Sequence, residues 1–320
     1  MAAQHLMSSR LHTTAAAAAT NAADANCITS GLVPALDPSH TALLSDAGIA
    51  ITALEPLGAE VSGMDLKVPQ DEKILATLQL EMAHRGFLVF KGQGVLTPEE
   101  QVHASTLWGG RQMHSTHGVH PATPDGNEHI FRLSNDPNHG TLGVGPQWHN
   151  DGSFMPGTFS HVGYHIIQAA AHGGGTYFAH QGAAFDSLPP AEQERWQRLS
   201  SINSNSGIVH PLVHAHPISG RKSVWLHLGM TGAVLERVPA GGFRALDEAE
   251  MTRLFNDYNE LLNSGVQGGY TMNYEYQAGD LVMIDNFAVG HRAAPEAHLP
   301  VSKQGLRILH RTTVKVSDTT

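Results

Sequence analysis

Apolar positions follow a helical period in the first part of the chain and a strand-like period later. They recur at helical spacing over 74–82, Gly86 follows as a helix stop, and the apolar run 87–90 indicates a buried strand. A second helix is predicted to begin at Thr97, because a threonine followed three residues later by Glu100 matches a capping box. The pattern therefore places two helices and a strand before the β-rich part of the chain.

Short β-type runs dominate the later part of the chain. The runs are 129–133, 161–168, 176–179, 223–228, 270–276, 280–285 and 305–314. An alternating pattern over 49–66 adds strand structure earlier, and a late helix is predicted where Asp247 precedes Glu250 in a second capping pattern. Many short strands with few helices predict a mainly β fold with flanking helices, arranged as a sandwich or jelly roll.

The first 45 residues differ from the rest of the chain. They lack apolar periodicity and are rich in Ala, Thr, Ser and Asn, so we predict disorder over 1–45 and one folded domain over 46–320. The segment has no acidic residue before Asp24 and one basic residue, Arg10, which falls short of the Arg-rich pattern of an organellar transit peptide. The sequence therefore favours a cytoplasmic protein and leaves organellar targeting open.

Composition excludes several classes of function. Asp plus Glu outnumber Lys plus Arg by 29 to 19, which disfavours non-specific nucleic-acid binding. No stretch approaches the roughly 20 consecutive apolar residues of a membrane-spanning helix. Cys27 is the only cysteine, which excludes an intrachain disulfide, a cysteine-based zinc site and an iron–sulfur cluster. A metal site in this chain must therefore be built from histidine and carboxylate.

His149 and Asp151 are the first candidate metal ligands. On a strand, residues two apart place their side chains on one face, where an imidazole and a carboxylate can share an iron. His291 is the best third ligand, because a jelly roll can return the chain to the first pair between the last two predicted strands. The motif alone is weak, since about two His-x-Asp/Glu matches are expected by chance in such a chain.

The surrounding sequence is more specific than the motif. It contains a Trp-His-x-Asp block at 148–151, a Gly-Gly-Gly-Thr turn at 173–176, His-Pro at 210–211, His-Pro-Ile-Ser-Gly at 216–220, Asp-Asn at 285–286, Gly-His at 290–291 and Arg-x-x-x-Arg at 307–311. In these pieces and their order, together with the opening segment 53–66, the chain resembles the taurine dioxygenase (TauD/TfdA) family. The likeness runs from about residue 49 to residue 314, which is most of the chain.

The resemblance implies a fold and a reaction. The fold is a double-stranded β-helix, a cupin-like jelly roll, in which His149, Asp151 and His291 bind iron(II). The reaction couples the oxidative decarboxylation of 2-oxoglutarate by O₂, giving succinate and CO₂, to the hydroxylation of a small, anionic organic substrate. Desaturation or ring formation would use the same iron ligands, so the sequence leaves these outcomes open.

The resemblance also implies roles for three further residues. Thr176 and Arg307 would bind the distal carboxylate of 2-oxoglutarate, and Arg311 would contact an anionic substrate or the cosubstrate. A guanidinium group matches a carboxylate bidentately and a threonine hydroxyl adds a donor, so these residue types suit the task. The alternative for an arginine pair four residues apart on one strand face is a structural ion-pair site.

Candidate substrate-binding residues are His114, His117 and Phe154. The two histidines match the region where taurine-type enzymes present substrate-binding side chains, although His117 replaces a tyrosine and Gly145 replaces an expected polar contact, which makes taurine itself a poor substrate. The alternative is that both histidines are loop residues without a role. For Phe154 the alternative is a core or pocket-wall position.

Two rival functions come from other classes. A non-catalytic cupin-like protein would keep the jelly roll and bind a small ligand, and a zinc hydrolase would use the same three ligands with a metal-bound water. Release of succinate from 2-oxoglutarate would distinguish a dioxygenase from the non-catalytic protein. Dependence on ferrous iron and oxygen would distinguish it from the zinc hydrolase. The sequence leaves open the identity of the substrate and whether the chain forms a homo-oligomer.

Overall fold

The computed structural model describes residues 35–113 and 117–315. The α-helices are α1 (Pro38–Asp46), α2 (Glu72–Arg85), α3 (Pro98–Thr106), α4 (Gln181–Ser187), α5 (Pro190–Trp196), α6 (Glu248–Gly268) and α7 (Val301–Gln304). The strands are β1 (Ala50–Ala53), β2 (Ala59–Ser62), β3 (Phe87–Phe90), β4 (Arg111–Met113), β5 (Phe131–Ser134), β6 (His161–Gln168), β7 (Thr176–His180), β8 (Leu199–Asn203), β9 (Val209–Pro211), β10 (Val213–Ala215), β11 (Lys222–Val224), β12 (Thr231–Arg237), β13 (Phe243–Ala245), β14 (Thr271–Tyr274), β15 (Leu281–Asp285), β16 (Val289–Ala293) and β17 (Ile308–Lys315). Within these described ranges, no helix is both long and apolar enough to cross a lipid bilayer.

Helix α1 shows that the ordered region begins before the predicted boundary at residue 46. Asp37 caps the helix by accepting a hydrogen bond from the Ser39 N–H, and Leu44 is completely buried in a cluster that includes apolar residues of α2. The disorder predicted for this end of the 1–45 segment is therefore wrong, because one anchoring leucine in a polar sequence produces no periodicity. Residues 1–34 lie outside the described part of the chain.

The predicted helix starts and stops are confirmed. Thr97 and Glu100 form a reciprocal capping box at the start of α3, and Asp247 and Glu250 form another at the start of α6. Helix α2 ends at Arg85, and Gly86 follows as its cap with a φ of 89°, which is readily adopted only by glycine. These local signals fix where each helix enters and leaves the β-rich body.

The larger sheet has the strand order β1-β2-β3-β15-β6-β17-β4, and β5 also pairs with β17. Strands β2 and β3 are parallel and the other pairs are antiparallel. Side chains alternate along β15: Leu281 and Met283 join the apolar cluster beneath α2, while Val282 and Ile284 join a second cluster on the opposite face. The larger sheet is therefore covered by helices on one side and packs a β core on the other.

A smaller sheet with the order β14-β7-β16 packs against that second face. Phe178 of β7 stacks on Phe87 of β3 with their ring centroids 4.4 Å apart, and both are fully buried. Two antiparallel layers with an apolar core between them form the jelly roll. The predicted mainly β fold with flanking helices is confirmed.

The segment between β7 and β14 adds helices α4 to α6 and two further sheets, with the orders β13-β12-β8-β9 and β10-β11. Its apolar side chains form a third core, in which Trp148 packs with residues of α6 such as Tyr258. Trp148 directly precedes His149, so this added layer packs against the segment that carries this predicted ligand.

Candidate metal centre

The backbone pairs two of the predicted ligands directly. The N–H of His149 donates to the His291 carbonyl and the N–H of His291 donates to the His149 carbonyl, both at 3.0 Å. His291 lies within β16, but His149 forms only an isolated bridge and Asp151 begins a turn. The interpretation that His149 and Asp151 share a regular strand is therefore wrong, because the chain turns away at Gly152, where φ is 88°.

The three predicted ligands nevertheless converge. A nitrogen of His149, an oxygen of Asp151 and a nitrogen of His291 all lie within 4.8 Å of one another, and all three residues are buried. The His149 Nδ1 donates to the Gln147 carbonyl at 2.8 Å, which leaves its Nε2 as the free lone pair. Asp151 Oδ2 and both ring nitrogens of His291 are buried without a hydrogen-bond partner in the described structure. Buried polar atoms left in this state fit a bound metal ion.

The protonation states suit metal binding as well. Burial lowers the pKa of His149 and lowers that of His291 to about 3, so both imidazoles are neutral. Burial alone would raise the pKa of Asp151, but the Arg311 guanidinium opposes this effect most strongly, and the pKa is lowered to about 2. Two neutral nitrogen donors and one carboxylate form the donor set of a non-haem iron(II) site with open coordination positions.

A cavity opens beside these ligands and contains most of the predicted site. It is lined by Leu133, Val144, Gly145, His149, Tyr164, Thr176, His291, Ala293, Arg307, Leu309 and Arg311. Thr176 is the first residue of β7, and Arg307 directly precedes β17. The topology thus brings together residues separated by more than 100 positions in the sequence.

Arg307 is buried beside this cavity without an acidic partner among the described residues. Its Nη1 donates to the Gly174 carbonyl at 3.4 Å, and its Nε has no hydrogen-bond partner in the described structure. Burial lowers the pKa of Arg307, and the nearby Tyr276 and Tyr164 oppose that change. A buried guanidinium with unused donors is a site for an anion.

Arg311 is already paired, and its partner is a candidate metal ligand. Its Nη1 donates to Asp151 Oδ1 at 2.8 Å, while its Nε has no partner in the described structure. The guanidinium carbon lies 4.9 Å from the centre of the Phe131 ring. Arg311 therefore does form the ion pair that was considered as an alternative role. This ion pair leaves Asp151 Oδ2 and the Arg311 Nε without hydrogen-bond partners in the described structure.

The predicted substrate residues fall in different places. His117 is exposed, and its ring stacks on Phe131 at 4.3 Å, on the aromatic side chain that also contacts Arg311. Phe154 is not among the cavity-lining residues, and its ring contacts Phe159 at 6.1 Å. His114 lies outside the described residues. The structure thus brings His117 to the edge of the site and leaves Phe154 away from it.

Two contacts with the ring of His149 were not predicted from the sequence. The His227 ring lies 5.1 Å from that of His149, and burial lowers its pKa to about 3. No motif surrounds His227, so no sequence signal indicated it. A Cβ at Gly145, where φ is 67°, would lie 2.9 Å from His149 Cε1, so this glycine makes room for the metal ligand. In the sequence, Gly145 was noted because it stands where a polar substrate contact was expected. The structure shows that Gly145 packs against His149.

Comparison with known proteins agrees with the fold and the site. The model of the family "Taurine catabolism dioxygenase TauD, TfdA family" matches residues 50–313, more than half of the chain. The chain is 23% identical over 270 residues to an alpha-ketoglutarate-dependent sulfate ester dioxygenase of Pseudomonas putida, covering 75% of this chain and 82% of that one. It is 26% identical over 264 residues to an (S)-phenoxypropionate/alpha-ketoglutarate-dioxygenase of Sphingobium herbicidovorans, covering 74% and 86%.

A solved structure of similar fold is that of AAD-2 in complex with Mn(II) and N-oxalylglycine. The TM-score is 0.63 at 24% identity, over 84% of this chain and 98% of that one. The fold, the converging ligands and the family match do not favour a non-catalytic binding protein. The resemblance inferred from the sequence is confirmed: the chain belongs to the TauD, TfdA family and is an iron(II)- and 2-oxoglutarate-dependent dioxygenase.

Proposed function

We propose that this dioxygenase hydroxylates a small, singly charged anionic substrate in the cavity beside His149, Asp151 and His291, which hold the iron. The observation that carries the proposal is the pair of buried guanidinium groups with unused donors on Arg307 and Arg311. One atom of O₂ enters succinate and the other enters the substrate as a hydroxyl group, while 2-oxoglutarate loses CO₂.

Thr176 and Arg307 are the proposed partners of the distal carboxylate of 2-oxoglutarate. Both line the cavity and both are buried, so a carboxylate between them would be held away from water. Gly174 supports this arrangement, because its carbonyl accepts from Arg307 and a Cβ at position 174 would lie 3.2 Å from Arg307 Cδ. A carboxylate would supply the acceptor that the Arg307 Nε lacks.

Charge balance favours an anionic primary substrate. Iron(II), the Asp151 carboxylate, doubly charged 2-oxoglutarate and the guanidinium groups of Arg307 and Arg311 together leave one net positive charge, which a singly charged substrate would neutralise. Arg311 can serve both partners, since Nη1 holds Asp151 and Nε remains unused. The relatives that act on sulfate esters and on phenoxypropionate take substrates that carry a negative charge.

The bound iron supplies the oxidative chemistry, and the chain supplies position and shielding. His149 and His291 present neutral nitrogens, and Asp151 presents the oxygen that Arg311 leaves free. Leu133 and Leu309 line the cavity and give it apolar walls. Because Asp151 occupies its ligand position, a halide cannot take that place, so hydroxylation is favoured over halogenation.

The proposal is tested by anaerobic titration of the iron(II)–2-oxoglutarate protein with sulfonates, sulfate esters and aryloxy acids, each beside an uncharged analogue of the same shape. We expect the anions, and not the uncharged analogues, to shift the metal-to-ligand charge-transfer band. Arg311→Met should abolish the response to the anions. Because Arg311 also pairs with Asp151, the band of this variant is first recorded without substrate, and its presence shows that the metal and cosubstrate are still bound. Equal responses to charged and uncharged analogues, or an unchanged response in Arg311→Met, would contradict the anionic class.

A further inference from the structure

Asn150 lies between two candidate metal ligands in the sequence, and its side chain bonds to protein groups outside the cavity. It is completely buried and exchanges two hydrogen bonds with Gln181: Asn150 Nδ2 donates to Gln181 Oε1 at 2.9 Å, and Gln181 Nε2 donates to Asn150 Oδ1 at 2.7 Å. Asn150 Nδ2 also donates to the backbone carbonyls of Asn286 and Val289, at 2.8 and 3.0 Å. One amide thereby ties the ligand segment to both ends of the connection between β15 and β16.

Asn286 binds the same segment from the other side. Its Oδ1 accepts from the Asp151 N–H at 3.0 Å, and its Nδ2 donates to the Asp151 carbonyl at 2.8 Å. Its Nδ2 also donates to the Phe159 carbonyl at 2.8 Å. A single buried side chain therefore holds both backbone polar groups of Asp151, and with them the direction in which its carboxylate leaves the chain.

Gln181 connects this arrangement to the third ligand and to α6. Its Nε2 donates to the Tyr258 hydroxyl at 2.9 Å, and its backbone N–H donates to the Ala288 carbonyl at 2.9 Å. A Cβ at Gly290 would lie 2.8 Å from Gln181 Nε2, so the residue before His291 has to be small for Gln181 to fit. The glycine of the Gly-His motif thus leaves the space in which Gln181 packs behind His291.

We propose that Asn150, Gln181 and Asn286, together called the amide network, are positioning residues that hold the metal ligands in place before the metal binds. None of the three touches the metal-facing atoms, and their side-chain amides do not titrate. The network therefore sets ligand geometry at every pH at which the fold is intact. Groups that orient metal ligands commonly contribute 10- to 100-fold to metal affinity.

Asn286→Asp tests the proposal, because it keeps the shape of the side chain and replaces the donor that faces the Asp151 carbonyl with an acceptor. Gln101→Glu is the matched control: Gln101 is equally buried, and its Nε2 donates to the His310 carbonyl on the helix-covered face of the larger sheet. Both proteins are titrated with Co(II) alone, and the visible absorption of the cobalt and the melting temperature are recorded.

We expect Asn286→Asp to weaken Co(II) binding roughly 10- to 100-fold and to change the cobalt spectrum. Gln101→Glu should lower the melting temperature and leave cobalt affinity and spectrum unchanged. If Asn286→Asp does not fold, Gln181→Met replaces it, and a loss of cobalt affinity is again expected.

Wild-type cobalt affinity and spectrum in a folded Asn286→Asp or Gln181→Met protein would overturn the proposal, as would an equal change in Gln101→Glu. The measurement uses neither 2-oxoglutarate nor a substrate, so its outcome does not depend on the substrate class proposed above.

Discussion

The two sides of the His149–Asp151 segment differ in how completely their polar atoms are satisfied. On the cavity side, Asp151 Oδ2 and both His291 nitrogens are buried without hydrogen-bond partners in the described structure. On the opposite side, Asn150 and Asn286 make short hydrogen bonds from both ends of their amides. The segment thus has unpaired polar atoms on the side that would bind the metal and fully hydrogen-bonded amides on the other side. This difference distinguishes the residues that would bind the metal from the residues that hold the ligands in position.

The largest effect is expected when a cavity-side ligand is removed. His291→Ala, His149→Ala and Asp151→Ala should each abolish iron-dependent consumption of 2-oxoglutarate, because two remaining protein ligands hold the metal weakly. Folding should largely survive in each. Succinate release and the melting temperature are the measurements.

His165→Ala is the control for these variants, since His165 is completely buried on the helix-covered face of the larger sheet and lies outside the metal centre. It should lose stability and retain metal binding. A ligand variant with near-wild-type turnover would remove that residue from the assignment.

A smaller effect is expected at the cosubstrate end of the cavity. Arg307→Leu should raise the KM for 2-oxoglutarate on the order of 10- to 100-fold, because a charge-assisted hydrogen bond contributes roughly 1.5–3 kcal/mol. Iron affinity should remain nearly intact. Arg132→Leu is the control, because Arg132 is a buried arginine whose Nε donates to the His139 carbonyl outside the cavity. An unchanged dependence on 2-oxoglutarate in Arg307→Leu would show that Arg307 does not bind it.

The smallest effect is expected at Gly145, where a comparison with Gly143 distinguishes backbone strain from crowding of the metal ligand His149. Gly145 and Gly143 both have a φ of 67°, where an L-residue costs roughly 1–2 kcal/mol, but only a Cβ at Gly145 would meet His149. Gly143→Ala and Gly145→Ala should therefore lose similar stability, whereas only Gly145→Ala should also weaken Co(II) binding, on the order of several-fold. Thermal denaturation with and without Co(II) measures both quantities, and equal cobalt affinity in the two variants would exclude the crowding effect.

Elements with strong local signals were predictable from the sequence. Strand β6 has the predicted bounds 161–168, and both capping boxes start helices where expected. Strand β8 was missed for a physical reason: its buried positions include Ser201 and Asn203, so burial alternates along it while apolarity does not. Sequence periodicity detects a buried face only when that face is apolar.

Parts of the candidate site depended on contacts that local sequence does not encode. The types and spacing of the three ligands were visible in the sequence, and the structure brings them together. The ion pair between Arg311 and Asp151 joins residues 160 positions apart, and the approach of His227 to His149 depends on how the added layer folds back. Asn150 gave no signal, because its role lies in contacts with Gln181 and with the connection after β15.

The reciprocal backbone hydrogen bonds between His149 and His291 bear on how this centre could be redesigned. In an antiparallel pair that exchanges both hydrogen bonds, the Cα atoms are held about 5.5 Å apart whatever side chains they carry. Ligand types at positions 149 and 291 can therefore be exchanged to alter metal selectivity without changing the spacing of their attachment points. A graft into another scaffold must carry both segments together, since either one alone loses the pairing that aligns it.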